Sequence, residues 1–140
     1  MQIIVGADHG GYKLKEYLKK QISELEDIGA YSEEKHDDYP DIAKKAAKII
    51  QKNKNKRAIL ICGTGTGMCI EANRFKGVRA VLVYDQYSAV MSRKDNDANI
   101  ICLRGRKFDR TKAKKLVKLW LKQEFSGKAR HKRRIRKLDR

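Results

Sequence analysis

Residues 58–67 read AILICGTGTG, and the reading of this stretch decides the fold. Ala58-Ile59-Leu60-Ile61-Cys62 is apolar without alternation, the pattern of a strand buried on both faces inside a parallel sheet. The turn after it, Gly63-Thr64-Gly65-Thr66-Gly67, carries glycine at every second position and leads into a short helical segment ending near Phe75. Alternate glycines let the backbone curl so that successive N–H groups point at one spot. The turn therefore reads either as an anion cradle, with a helix dipole behind it, or as a simple tight turn. No GK[ST] follows, and the third glycine is misplaced for a full GxGxxG dinucleotide fingerprint.

Outward from this strand, apolar runs alternate with helical patterns. Ile3, Ile4 and Val5 open the chain as a first strand, and Tyr12, Leu14, Tyr17, Leu18 and Ile22 then recur at spacings of three and four. Residues 24–31 fit either the end of that helix or a short second strand. Pro40 suits the first turn of a helix whose apolar stripe is Ile42, Ala43, Ala46, Ala47, Ile49 and Ile50. Residues 78–84 and 99–103 read as further strands. Asp85 suits the cap of a helix running to about Lys94, and Asp109 the cap of a long helix carrying Ala113, Leu116, Val117, Trp120 and Leu121. A basic helix or arm follows Gly127. This alternation predicts an α/β protein, an open αβα sandwich with five mostly parallel strands in a single domain over residues 1–140.

The chain has 140 residues, 41% of them apolar, enough for one core. Three Cys, an odd number with no CxxC pair, argue against a disulfide scaffold or a zinc site. No apolar run approaches the ~20 residues of a spanning helix. MQIIVGADHGG has no basic leader and no cleavage site, so the expectation is a cytoplasmic, reduced protein without a membrane role. The net charge of +17 is uneven: residues 106–140 hold 16 of the 34 Lys and Arg and 3 of the 17 Asp and Glu. Scattered Lys reads as a solvated face, but RHKRRIRK, Arg130 to Lys137, is rich in Arg, whose fork suits phosphate oxygens. A nucleic-acid role is not favoured, because no helix-turn-helix signature, aromatic platform or zinc spacing accompanies the charge.

Ligands of such sheets bind outside the carboxyl ends of the strands. Three loops are expected there: Gly6-Ala7-Asp8-His9-Gly10-Gly11, the GTGTG turn, and residues 93–99 with the sequence RKDNDAN. Cys62 at the end of its strand reads either as a small buried hydrophobe or, beside converging N–H groups, as a thiolate base. A base next to an anion hole is what proton abstraction alpha to a carbonyl requires. Asp8 suits a sugar hydroxyl or ring oxygen, and His9 suits phosphate binding or proton transfer. Asn96 and Arg106 flank the last strand as pocket residues or as loop caps and surface charge. Cys69 and Cys102 lack this context and read as core.

GADHGGYKLK at the start, DYPD (Asp38 to Asp41), ILICGTGTG (Ile59 to Gly67), EANRFKGVRA, SRKDNDANI and ARHKRR (Ala129 to Arg134) together resemble the ribose-5-phosphate isomerase B family, which includes the galactose-6-phosphate isomerase subunits. The resemblance covers nearly the whole chain. It implies a small Rossmann-like αβα sandwich that forms a homodimer or dimer of dimers with shared sites. It implies interconversion of ribose 5-phosphate and ribulose 5-phosphate, a pentose phosphate pathway step, with no cofactor and no metal. Carried over by motif, Cys62 is the base that moves the proton between C1 and C2, with Thr64 beside it as a catalytic and substrate-contacting hydroxyl. Gly63, Thr64, Gly65, Thr66 and Gly67 form the hole for the cis-enediolate. Asp8 is a sugar ligand and His9 a phosphate ligand, while Tyr39, Asn96 and Arg106 are further substrate contacts. Arg130 and Arg134 are the phosphate clamp, on an arm (residues 127–140) that reaches the partner subunit's site.

One position departs from the pattern. The family places His before Asn-Asp-Ala-Asn, to open the furanose ring, and here that position is Asp95. An ordinary carboxylate is ionised at neutral pH and takes protons rather than donating them. Asp95 therefore fits a base for the anomeric hydroxyl, an enzyme that takes an open sugar, or one that takes a different sugar phosphate. A hexose 6-phosphate such as allose or galactose 6-phosphate is the alternative substrate.

Overall fold

The structure, a computed structural model, describes residues 1–139. Five strands alternate with helices: β1 (Ile3–Ala7), α1 (Tyr12–Gln21), β2 (Leu25–Asp27), α2 (Tyr39–Lys52), β3 (Arg57–Cys62), α3 (Thr66–Ala72), β4 (Ala80–Leu82), α4 (Gln86–Lys94), β5 (Ile100–Arg104), α5 (Arg110–Lys122) and α6 (Ala129–Leu138). The sheet order is β2-β1-β3-β5-β4 and every pairing is parallel, where a mostly parallel sheet was expected. Among the described residues no helix is long and apolar enough to cross a membrane.

The unbroken apolar run is the central strand: all six residues of β3 are buried, with β1 on one side and β5 on the other. Because side chains alternate across a strand, it feeds two cores. Ile59 and Ile61 join Leu14 and Leu18 of α1 and Leu116, Val117 and Trp120 of α5 on one face. Ala58, Leu60 and Cys62 join Ala43, Ala46, Ala47 and Ile50 of α2 and Met68 and Ala72 of α3 on the other. The result is three layers, αβα.

Residues 24–31 resolve as the strand alternative. β2 is an edge strand of three residues whose pairing places Val5 opposite Asp27. What holds so short a strand is charge: Asp27 accepts from Lys15 Nζ at 2.8 Å and from Lys19 Nζ at 2.7 Å. Lys15 is fully buried inside the apolar face of α1 and also donates to the Ala30 carbonyl. Burial alone would push the Asp27 carboxyl up, but its bonds from Lys15, Lys19 and the Gly29 N–H outweigh that and hold it below its ordinary value. Asp85 caps α4 through a capping box with Ser88, and Asp109 accepts from the Thr111 and Lys112 amides at the start of α5. The basic arm is helical from Ala129 to Leu138, and Arg140 lies outside the described residues.

Candidate active site

β1 and β3 are neighbours whose connections leave the sheet in opposite directions, so their C-terminal loops flank the crevice where such sheets bind ligands. The Asp8 N–H donates to the Ile61 carbonyl (3.2 Å), the Gly105 N–H to the Cys62 carbonyl (2.8 Å) and the Arg106 N–H to the Gly63 carbonyl (3.2 Å). Loops 8–11, 62–67 and 104–106 are thereby laced together at one edge.

At their junction lies Cys62, only 4% exposed. Its Sγ accepts the Gly65 N–H at 3.2 Å. Gly65 has φ +81, and a Cβ there would stand 2.7 Å from Leu82 and 2.9 Å from the Leu103 carbonyl oxygen, so only glycine makes this turn. Thr64 and Thr66 are exposed, and Thr64 Oγ1 accepts the Thr66 N–H at 3.2 Å. Asp8 is buried and spends one carboxylate oxygen on the Gly11 N–H (3.1 Å), leaving the other for a ligand. The Arg106 guanidinium lies against Gly10 and Gly63, and the Tyr39 ring against Gly67. Cys62, Asp8, His9, Tyr39, Arg106 and the GTGTG loop are therefore gathered at the C-terminal edge of the sheet.

Asp95, Asn96, Arg130 and Arg134 do not join them. Residues 93–99 follow a helix and precede β5, so they emerge at the N-terminal edge of the sheet, where the sequence reading had put them at the ligand end. The β3–β5 register pairs Ala58 with Ile100 and Cys62 with Arg104, which separates the two edges by ~13 Å of strand. At this second edge α6 packs beside the end of α4. The Ser126 N–H donates to the Lys94 carbonyl (3.0 Å), and Arg79 joins Asp97 (3.3 Å) to Asp139 (2.7 Å). Asp95 lies 3.4 Å from Nε2 of His131, a buried histidine whose Nδ1 is 2.9 Å from the Ser126 hydroxyl. Arg130 and Arg134 are exposed beside it. The candidate residues thus fall into two clusters at opposite edges of the sheet.

Three side chains near these two clusters escaped the sequence reading: His36, Asp37 and His131. The ring of His36 stacks on His9, with centroids 4.5 Å apart and planes at 18°. Asp37 accepts the His9 N–H at 3.0 Å. His36 and Asp37 lie in a polar loop with no periodicity, far from His9 in sequence, so no local signal marks them. Cys69 and Cys102 are core-facing, as expected, but chemically distinct. Hydrogen bonding with Cys102 brings the half-buried Cys69 thiol down to about 7 against the opposing effect of burial, whereas burial pushes Cys102 up.

A family model described as ribose/galactose isomerase matches residues 3–138. The chain is 42% identical over 131 residues to a ribose-5-P isomerase B of Listeria innocua, covering 91% of this chain and 88% of that protein. It is 37% identical over 131 residues to a D-erythrulose-4-phosphate isomerase of Mycolicibacterium smegmatis, covering 89% and 86%. The crystal structure of a ribose 5-phosphate isomerase from Thermotoga maritima superposes with a TM-score of 0.94 at 43% identity, covering 99% of this chain and 97% of that one. With the model matched from the first strand to the last helix, and with relatives this similar along nearly the whole length, the chain belongs to the ribose/galactose isomerase family of sugar-phosphate isomerases.

Proposed function

We propose that the chain interconverts ribose 5-phosphate and ribulose 5-phosphate through a cis-enediolate, with Cys62 as the base. The observation that carries this is the Cys62 sulfur, buried at the end of β3, accepting the Gly65 N–H inside a ring of polar loop residues. The thiolate takes the C2 proton of the open aldose and returns it to C1, while O1 gains a proton and O2 loses one. Negative charge develops on the two oxygens, and the amides of residues 63–67 with the Thr64 hydroxyl supply donors fixed in place before the charge appears. Asp8 holds a sugar hydroxyl, Tyr39 lines the wall, and His9 and Arg106 take the phosphate at the rim. A second copy, in a homodimer or a dimer of dimers, brings Asp95, Asn96, Arg130 and Arg134 over the mouth. The support for that is their clustering on the other edge of the chain, which leaves Asp95, the family's ring-opening position, far from Cys62 in a single copy.

Asp95 also supports a second reading, a four-carbon sugar 4-phosphate. Such a sugar carries its phosphate on the hydroxyl that would close a furanose, so it needs no ring opening. One of the relatives is a D-erythrulose-4-phosphate isomerase. Turnover of ribose 5-phosphate, erythrulose 4-phosphate and a hexose 6-phosphate by wild type and Cys62→Ala tests both substrate and base. The variant should stay folded and lose at least ~100-fold in turnover, the usual contribution of a positioned base. Near-wild-type turnover removes Cys62 from the mechanism, and a preference for the four-carbon sugar replaces the pentose.

A further inference from the structure

We propose that His36 is a positioning residue: its ring, laid on that of His9, keeps the outer nitrogen of His9 turned toward the substrate's phosphate. The proposal rests on the reading of His9 and Arg106 as the phosphate end of the pocket.

His9 follows β1 directly and is half-buried. Its backbone is fixed by the bond to Asp37. The same carboxylate oxygen lies 3.4 Å from ring Nδ1, which is buried and forms no hydrogen bond. With Nδ1 sealed, Nε2 is the nitrogen left to meet a ligand. The χ2 torsion of a histidine is broad and roughly two-fold, so backbone attachment alone does not aim the ring. A half-turn would put Cε1 where Nε2 stands, and the Asp37 oxygen beside Nδ1 selects against it. Rotation of the ring out of that plane is what the face of His36, 4.5 Å away and nearly parallel, prevents.

The segment that carries His36 is itself anchored. Asp38 is the N-cap residue of α2, and the ring of Tyr39, the first residue of that helix, lies on Gly67 of the cradle. The stack is therefore referenced to the same loop that holds Cys62. On the neighbouring side, the Arg106 guanidinium lies against Gly10, next in sequence to His9. An aimed imidazole nitrogen and a guanidinium at the rim make a pair suited to a phosphate. The competing explanation is that the stack merely packs an exposed loop, and the two differ in what they predict.

The test uses the full-length chain and inorganic phosphate as probe, titrated by calorimetry, alongside KM and kcat for ribose 5-phosphate. Wild type, His36→Ala, His36→Phe, His9→Ala and the His9→Ala/His36→Ala pair are compared. His36→Ala should weaken phosphate binding and raise KM roughly five- to tenfold, with a smaller effect on kcat. His36→Phe, which keeps the flat face and loses the nitrogens, should recover most of the lost affinity. In the His9→Ala background, removing His36 should add nothing, since its effect acts through that ring. Wild-type phosphate affinity in His36→Ala, or an equal loss with and without His9, overturns the proposal. Failure of His36→Phe to rescue also overturns it, because His36 would then be a ligand and not a support. If wild type binds phosphate but does not isomerise ribose 5-phosphate, the functional reading fails, and the phosphate titrations still decide the role of His36.

Discussion

Three thiols sit on one face of the sheet, and chemistry separates them by place. Hydrogen bonding with Cys102 lowers the Cys69 thiol, yet Cys69 sits on α3 facing β4, donating to the Ala80 carbonyl at 3.4 Å. Cys62 stands where three loops meet. An ionisable thiol in the wrong place is a bystander, because a general base must first be within reach of the proton it takes. The same logic bears on Asp95, which meets His131 on the far edge and, under the proposed sharing of sites, reaches a sugar only on a second copy. Asp95→Asn keeps the shape and removes the base. It should slow turnover of cyclic ribose 5-phosphate by about tenfold or more while sparing the Cys62-dependent exchange of the ribulose 5-phosphate C1 proton with deuterium from solvent, which needs no ring opening. Proton magnetic resonance in heavy water reads both rates; equal losses in the two would detach Asp95 from ring opening.

At the scale of elements, the central strand was legible because burial on both faces is written as an unbroken apolar run, and α4 and α5 because Asp85 and Asp109 announce their caps. β2 was ambiguous for the opposite reason. Its three residues, LED, have no pattern, and its stability comes from lysines on α1 that a periodicity reading assigns to solvent. The loop 93–99 was assigned to the wrong edge because its polar, functional composition was weighed above its connectivity, which runs from helix to strand. The Lys15–Asp27 pair gives a measurable consequence. Asp27→Ala leaves a fully buried ammonium without its carboxylate and should cost about 3–5 kcal/mol in urea unfolding at neutral pH. Since the Asp27 carboxyl is held below its ordinary value, its stabilisation is complete above the ordinary carboxylate range and is lost as pH falls through the lowered value. The wild type should therefore lose stability on acidification below about pH 4 more steeply than Asp27→Ala does. Parallel acid curves for the two proteins would show that the pair does not hold β2.

The whole molecule presents its chemistry at two opposite edges of one sheet: Cys62, Asp8, His9 and Arg106 at the C-terminal edge, and Asp95, Asn96 and the arginines of α6 at the other. Such a division makes sense if two copies related by a two-fold axis each lend one edge to the other, as isologous dimers do. It also gives the Arg-rich end a task that requires no nucleic acid. The most direct test mixes two inactive proteins, Cys62→Ala and Arg130→Ala/Arg134→Ala, unfolded together at equal concentration and refolded so that copies exchange. If the sites are shared, half of the dimers are mixed, and each mixed dimer has one site with both defects and one with neither. Ribose 5-phosphate isomerase activity should then return to about a quarter of the wild-type value. No recovery, in a mixture shown by native mass spectrometry to contain mixed dimers, would contradict a site built from Cys62 of one copy and the arginines of the other.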